Sequence, residues 1–283
     1  MSRIKPISAR SSILRLRDGR ALGFAEYGRS SGKALFYFHG YPGSRVEARP
    51  LSETAERFGI RLIAVDRPGM GLSTFLKGRR LIDWPADVGE LADRLEIERF
   101  SVIGCSGGGP YALACARKIP ERLISCGIVA GAGIFGPAIS LLSRSLPWFL
   151  SPLIRPLFRN KEEAAKAIAK VACLLPEPDR RVLPRIGEAW AASLAEAFRQ
   201  GWKGPAYEGS LLGGDWGFKA EDVRYANAHW WHGELDRHIP VTMGRALAKE
   251  LCGCQAIYYP DEGHISLIVN HGDEIVETLV RRL

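Results

Sequence analysis

Residues 100–119 read "FSVIGCSGGGPYALACARKI". An apolar run from Phe100 to Ile103 enters Gly104-Cys105-Ser106-Gly107-Gly108, and a helix-favouring stretch follows from Tyr111 to Lys118. A short apolar run stopped by glycines reads as a buried strand. The chain must therefore pass from strand to helix through one hydroxyl ringed by glycines. The pattern fits G-x-S-x-G in the strand–helix context that gives it mechanical meaning. So sharp a turn strains the serine backbone, and side chains two before and two after it would clash. It lifts the hydroxyl to the carboxyl end of the sheet, where open α/β sheets bind ligands. The helix behind adds N–H groups and its dipole. A glycine turn that only packs strand against helix is the bland alternative. A phosphate loop fits less well, because neither G-x-G-x-x-G nor G-K-S/T occurs here.

The rest of the chain supplies a sheet for that turn. "ILRLRDGRALGFAEYG" alternates on both sides of Asp18-Gly19 and predicts a hairpin. Apolar runs at 34–40, 61–66, 100–104 and 123–131 predict strands, with helices over 45–58, from Asp83 as its cap to about Leu95, and from about 107. Continuously apolar strands need cover on both faces, hence a mostly parallel sheet flanked by helices. From 132 to 222 the rhythm breaks into Ala- and Leu-rich helical segments punctuated by prolines. It returns with strands at 225–233 and 256–260 and helices at 242–251 and 272–282. Residues 1–131 and 223–283 thus read as one α/β core, and 132–222 as a helical insertion. At 283 residues, one large domain with an insertion is the expected size.

Charge and composition limit the partners. The net charge is +8, and most of it lies in Arg3, Lys5, Arg10, Arg15, Arg17, Arg20, Arg29 and Lys33, opposed locally by Asp18 and Glu26. No nucleic-acid motif accompanies this charge, so a solvated hairpin is expected and no nucleic-acid partner. Leu123 to Ser143 carries no charge and is long enough for a membrane span. Its glycines and Pro137 favour a buried strand and a turn, so no span is expected. The N-terminus has no apolar leader core, and none of the six cysteines forms C-x-x-C. Reduced, buried thiols in a cytoplasmic protein are the expectation.

A serine nucleophile needs a base held by an acid. "PDEGHISL" places His264 after the last strand, and "WWHGELDRHIP" places Asp236 after the strand before it, both at the edge reached by Ser106. Glu234 is a second candidate acid, and Asp261 reads as a turn residue. His39 reads as a structural residue. His229 and His232 are spaced like a metal pair but fit strand alternation and a turn, so no metal is expected. Cys105 should point away from the site.

"HGYPG", "DRPGMGLS", "GCSGG" and "GELD…EGH", in this order, are the features by which the chain resembles the α/β-hydrolase superfamily over nearly its whole length. The resemblance implies a catalytic triad of Ser106, Asp236 and His264, with Asp236 favoured over Glu234. It implies an oxyanion hole from the backbone N–H groups of Tyr41 and Gly107, and a helical cap, or lid, at 132–222. It also implies no cofactor and a small-molecule substrate. A serine at this turn argues against the epoxide-hydrolase and haloalkane-dehalogenase relatives, which use aspartate. The expected activity is a carboxylesterase-type acyl hydrolysis of a small to medium, fairly apolar substrate. Aminopeptidase-type or carbon–carbon bond hydrolysis, and a hydrolase-like receptor with slow turnover, remain alternatives. "SLPWFLSPLI", between Arg144 and Arg155, must bury its apolar surface, either as ordinary core against the sheet domain or in part as the lining of the entrance, with Trp148 and Phe149 the first candidates for the lining. Phe158, Trp190, Phe198, Trp202 and Trp216 are core residues or cavity walls.

Overall fold

The computed structural model describes residues 10–133 and 137–281, with side chains described from residue 145 onward in the helix that begins at 137. The hairpin forms as expected: β1 (Arg10–Arg15) and β2 (Ala21–Gly28) pair antiparallel. Arg20 clamps the hairpin through a bidentate bond to Asp87. Arg15 bonds the Gly19 carbonyl and Lys33 the Val280 carbonyl, so much of the basic N-terminal charge is engaged. Arg3 and Lys5 lie outside the described residues.

β3 (Lys33–Phe38), β4 (Ile60–Val65), β5 (Phe100–Cys105), β6 (Leu123–Val129), β7 (Ala228–Gly233) and β8 (Gln255–Tyr259) complete an eight-stranded sheet. Its order is β1-β2-β4-β3-β5-β6-β7-β8, and from β4 to β8 every pairing is parallel. Strand alternation divides the core into two layers. Phe36, Phe38, Ile63, Val65 and Val102 face α2 (Trp84–Arg94), α3 (Gly109–Lys118) and α8 (Val241–Glu250). Leu35, Tyr37, Leu62, Ile103 and Cys105 face α1 (Ser52–Arg57) and α9 (Ser266–Val280).

Three local expectations need correction. Residues 45–58 do not form one helix: a 3₁₀ turn, Arg45–Leu51, contains Pro50 and precedes α1, because proline cannot supply the interior N–H bond. Asp83 does not cap α2 with its side chain, since its carboxylate is held by Arg80. The last helix starts at Ser266, six residues early, because a distant carboxylate satisfies its first N–H groups, as described below. Between β6 and β7 run α4 (Pro137–Ile154), α5 (Lys161–Val171), α6 (Glu177–Ala197) and α7 (Lys203–Leu212). Residues 134–136, within the uncharged stretch, lie outside the described residues. Among the described residues no helix is long and apolar enough to cross a membrane.

Candidate functional site

β5 ends at Cys105, and Ser106 takes a left-handed φ of 51° before the chain turns into α3. The flanking glycines are sterically required. A Cβ on Gly104 would stand 2.2 Å from the Gly108 carbonyl oxygen, and one on Gly108 would stand 2.1 Å from that of Phe38. The Ser106 carbonyl accepts the Ala132 N–H, which fixes the turn against the end of β6. Strain of this kind persists only where the surroundings enforce it.

β7 and β8 deliver the other two groups. His264 Nδ1 lies 2.6 Å from Asp236 Oδ2. Asp236 also accepts the backbone N–H groups of His238 and Ile239, and His232 Nε2 stands 3.3 Å from it. Burial alone would raise the Asp236 pKa, but the hydrogen bonds from His232 and His264 outweigh it and hold the carboxyl well below the usual range. An ionised acceptor keeps the proton on His264 Nδ1 and leaves Nε2 as the free lone pair. Glu234 goes elsewhere, pairing with Arg245 in an exposed position.

Ser106 and His264 line one cavity of about 580 Å³, together with Tyr41 and Gly107. No hydrogen bond joins Ser106 to His264 in this structure, as is common before a ligand tightens such a site. Tyr41 and Gly107 touch: a Cβ on Gly107 would stand 2.8 Å from Tyr41 Cβ and 3.3 Å from Tyr41 N. Among the described residues nothing accepts the Tyr41 N–H. His39 is fully buried, bonded through Nδ1 to the Gly40 carbonyl and through Nε2 to the Arg67 N–H. Burial, reinforced by Arg67, pushes its pKa well down, so it braces this loop as a neutral ring.

Cys105 lies on the α9 face, as alternation requires, yet it does not point clear of the site, for it lines the same cavity. Burial pushes its thiol pKa far up, which keeps it un-ionised. Cys115 and Cys126 are buried, whereas Cys173 and Cys252 are exposed, so burial of the thiols as a set is not observed. Trp148 and Phe149 do not line the cavity. Leu146, Pro147, Leu150, Ser151 and Ile154 of α4 do, while Phe149 is 71% exposed. Trp190 and Phe198 line it too; Trp216 is core.

Four groups that the sequence did not single out hold the site together. Arg67 donates to the carbonyls of His39 and Gly40 and to Glu208 of α7. Glu208 also takes Arg79 and the Tyr111 hydroxyl. Burial works against the Glu208 charge, but Arg67 and Arg79 hold its pKa down. Asp179 of α6, fully buried, accepts the N–H groups of His264, Ile265 and Ser266. It caps α9 from another element and fixes the backbone of His264. Glu47 accepts the Gly40 N–H beside Ser106. Only the Asp66-Arg67 pair, charged residues at an apolar strand end, gave a local signal.

The His238 ring lies against that of His264, tilted by 41° with ring centroids 4.8 Å apart. Asp236, His238 and His264 offer ligand atoms within 4.8 Å of one another, which is the spacing of a cation site. Asp236 and His264 already bond each other there, through Oδ2 and Nδ1.

A family model described as the alpha/beta hydrolase family matches residues 35–278. The dihydrolipoyllysine-residue acetyltransferase component of the acetoin cleaving system of Pseudomonas putida is 33% identical over 123 residues, 43% of this chain and 33% of its own length. The proline iminopeptidase of Xylella fastidiosa is 32% identical over 113 residues, 39% of this chain and 36% of its own length. The chain thus spans about a third of the length of these curated relatives. Among solved structures, a hydrolase from Pseudomonas aeruginosa PA01 aligns with a TM-score of 0.73 at 19% identity, covering 96% of this chain and 99% of that one. At that identity the likeness is one of fold.

Proposed function

The chain belongs to the α/β-hydrolase family, and from that premise we propose that it is a serine-dependent acyl hydrolase acting on small to medium, fairly apolar esters. The observation that carries this reading is the meeting, in one mostly apolar cavity, of the strained Ser106 and the Asp236-held His264.

His264 Nε2 takes the Ser106 proton as Oγ attacks the ester carbonyl. Asp236 stays ionised and stabilises the imidazolium that forms. The carbonyl oxygen, now negative, meets the N–H groups of Tyr41 and Gly107, two fixed donors worth about 2.7–4 kcal/mol each in sites of this kind. His264 then protonates the leaving alcohol, and a water repeats the cycle on the acyl-enzyme. Helices α4 to α7 act as a lid, with α4 and α6 furnishing the apolar walls that select the substrate. Arg67 keeps the carbonyls of His39 and Gly40 turned away, which leaves the Tyr41 N–H aimed at the cavity.

A fluorophosphonate should label Ser106 and not Cys105, as peptide mass spectrometry shows directly. Ser106→Ala should lower kcat on the order of 10⁴-fold or more with an unchanged Tm. Full activity in Ser106→Ala protein would end the reading. A burst of product followed by negligible steady-state turnover would instead favour a ligand receptor.

A further inference from the structure

Among the described lining residues, Glu47 is the one carboxylate in a cavity otherwise walled by apolar side chains, hydroxyls, a thiol and two histidines. Its two oxygens have different surroundings. Oε1 accepts the Gly40 N–H at 2.7 Å and the Tyr37 hydroxyl at 3.0 Å. Among the described residues Oε2 accepts no hydrogen bond and pairs with no Lys, Arg or His. Nor is it sealed in, for the buried polar atoms without partners are Arg79 Nε, Trp84 Nε1 and Trp231 Nε1. The position a Cβ would take on Gly40 is 3.4 Å from Oε2 and 3.5 Å from Ser106 Cβ. A single glycine therefore separates this oxygen from the reacting serine.

Bracing the loop needs only Oε1, and a glutamine would serve equally well. A carboxylate with a spare oxygen in a mostly apolar cavity carries a desolvation cost. Burial raises the Glu47 pKa against the pull of its hydrogen bonds and of Arg67. A ligand donor at Oε2 would offset that cost. We propose, on the premise of the acyl-hydrolase reading, that Glu47 Oε2 recognises a hydrogen-bond donor, hydroxyl or ammonium, on the acyl portion of the substrate close to the carbonyl carbon. The substrate class is then β-substituted acyl esters with an apolar remainder, rather than plain fatty esters.

The test compares p-nitrophenyl butyrate with its 3-hydroxybutyrate and 3-aminobutyrate counterparts. In the unaltered protein kcat/KM should favour a donor-bearing ester by about tenfold, the worth of one hydrogen bond to a charged group. A larger gain for the amine than for the hydroxyl assigns the subsite to ammonium, and the reverse assigns it to hydroxyl. Glu47→Gln keeps an acceptor for Gly40 and Tyr37 but presents an amide NH₂ to the ligand, so the ratio should fall to about one or below. Calorimetric Kd ratios for the same esters on Ser106→Ala protein should show the same preference and the same loss in the Ser106→Ala, Glu47→Gln pair. Those ratios need no turnover. If Ser106 proves not to be the nucleophile, the hydrolase reading fails while the Kd ratios still decide the role of Glu47. A preference for plain butyrate, or a donor preference that survives Glu47→Gln, overturns the proposal.

Discussion

Ser106, Asp236 and His264 each lie shortly after the end of a strand, at the same edge of the sheet. Asp179 and Glu208 sit on helices between β6 and β7, and their partners lie 85 and 141 residues away in sequence. On the proposed reading the sheet half presents the reacting groups, and the helical half supplies buried carboxylates that hold them still. Asp179 fixes the backbone of His264; Glu208 balances Arg67, which holds the carbonyls beside Tyr41. The difference separates two kinds of dependence. Changes in the sheet half should remove chemistry at constant fold, whereas changes in the helical half should disturb chemistry through position.

The largest effect after Ser106→Ala should come from Asp236. Asp236→Asn should lower kcat on the order of 10⁴-fold, because the amide neither stabilises the imidazolium nor fixes its tautomer. Glu234→Gln, at an exposed ion pair, should stay within about twofold. Losses in the reverse order would mean that the acid is misassigned. Stability gives a second reading. The folded pKa of Asp236 is depressed, so its stabilisation is complete above its unfolded value of about 3.9 and fades as pH falls toward the folded value. The Tm deficit of Asp236→Asn should therefore narrow as pH drops from 7 to 3. A deficit that does not change with pH would mean that the ionised form is not what the fold uses.

An intermediate effect is expected at Asp179. Asp179→Ala strips three N–H groups at the start of α9 of their acceptor and frees the backbone of His264. Displacements of that kind cost roughly 10²-fold in rate, so kcat should fall by about that much with KM little changed. Fluorophosphonate labelling of Ser106 should slow in parallel. Asp179→Asn, which keeps one acceptor oxygen, should recover most of the loss. If Asp179→Ala lowers Tm but leaves labelling unchanged, the residue only caps the helix.

The same contrast explains what the amino-acid order reveals. Ser106 is legible because its steric demands fall on five consecutive residues, and Gly104 and Gly108 cannot be anything else. The strands are legible because period-two alternation is local. Asp236 and His264 follow strands whose apolar runs are plain, and the resemblance already favours Asp236, which meets His264 in the structure, over Glu234. Asp179 and Glu208 leave no local trace, since a carboxylate whose partners are remote looks like any solvated acid. Glu47, whose partners Gly40 and Tyr37 are near in sequence, is hidden instead by a segment that reads as one helix. The start of α9 is not legible locally because Asp179, not a neighbouring residue, satisfies it.

The α4 segment shows the remaining gap and carries the smallest predicted effect. "SLPWFLSPLI" is apolar on every side, so helical periodicity cannot say which face looks inward. In the structure Leu146, Leu150 and Ile154 recur four apart and line the cavity. Trp148 instead meets Trp202 and Tyr207 edge-on, and Phe149 is exposed. Each methylene buried on such a wall contributes about 0.8 kcal/mol. Along p-nitrophenyl esters from two to about ten carbons, kcat/KM should accordingly rise several-fold per added buried methylene until the cavity is full. Leu150→Ala should flatten that rise, and Phe149→Ala should leave its slope unchanged. Equal flattening by both would mean that α4 turns its other face inward when substrate binds. A steady fall from acetyl upward would mean a small acyl site close to Ser106, leaving the α4 wall to the leaving group.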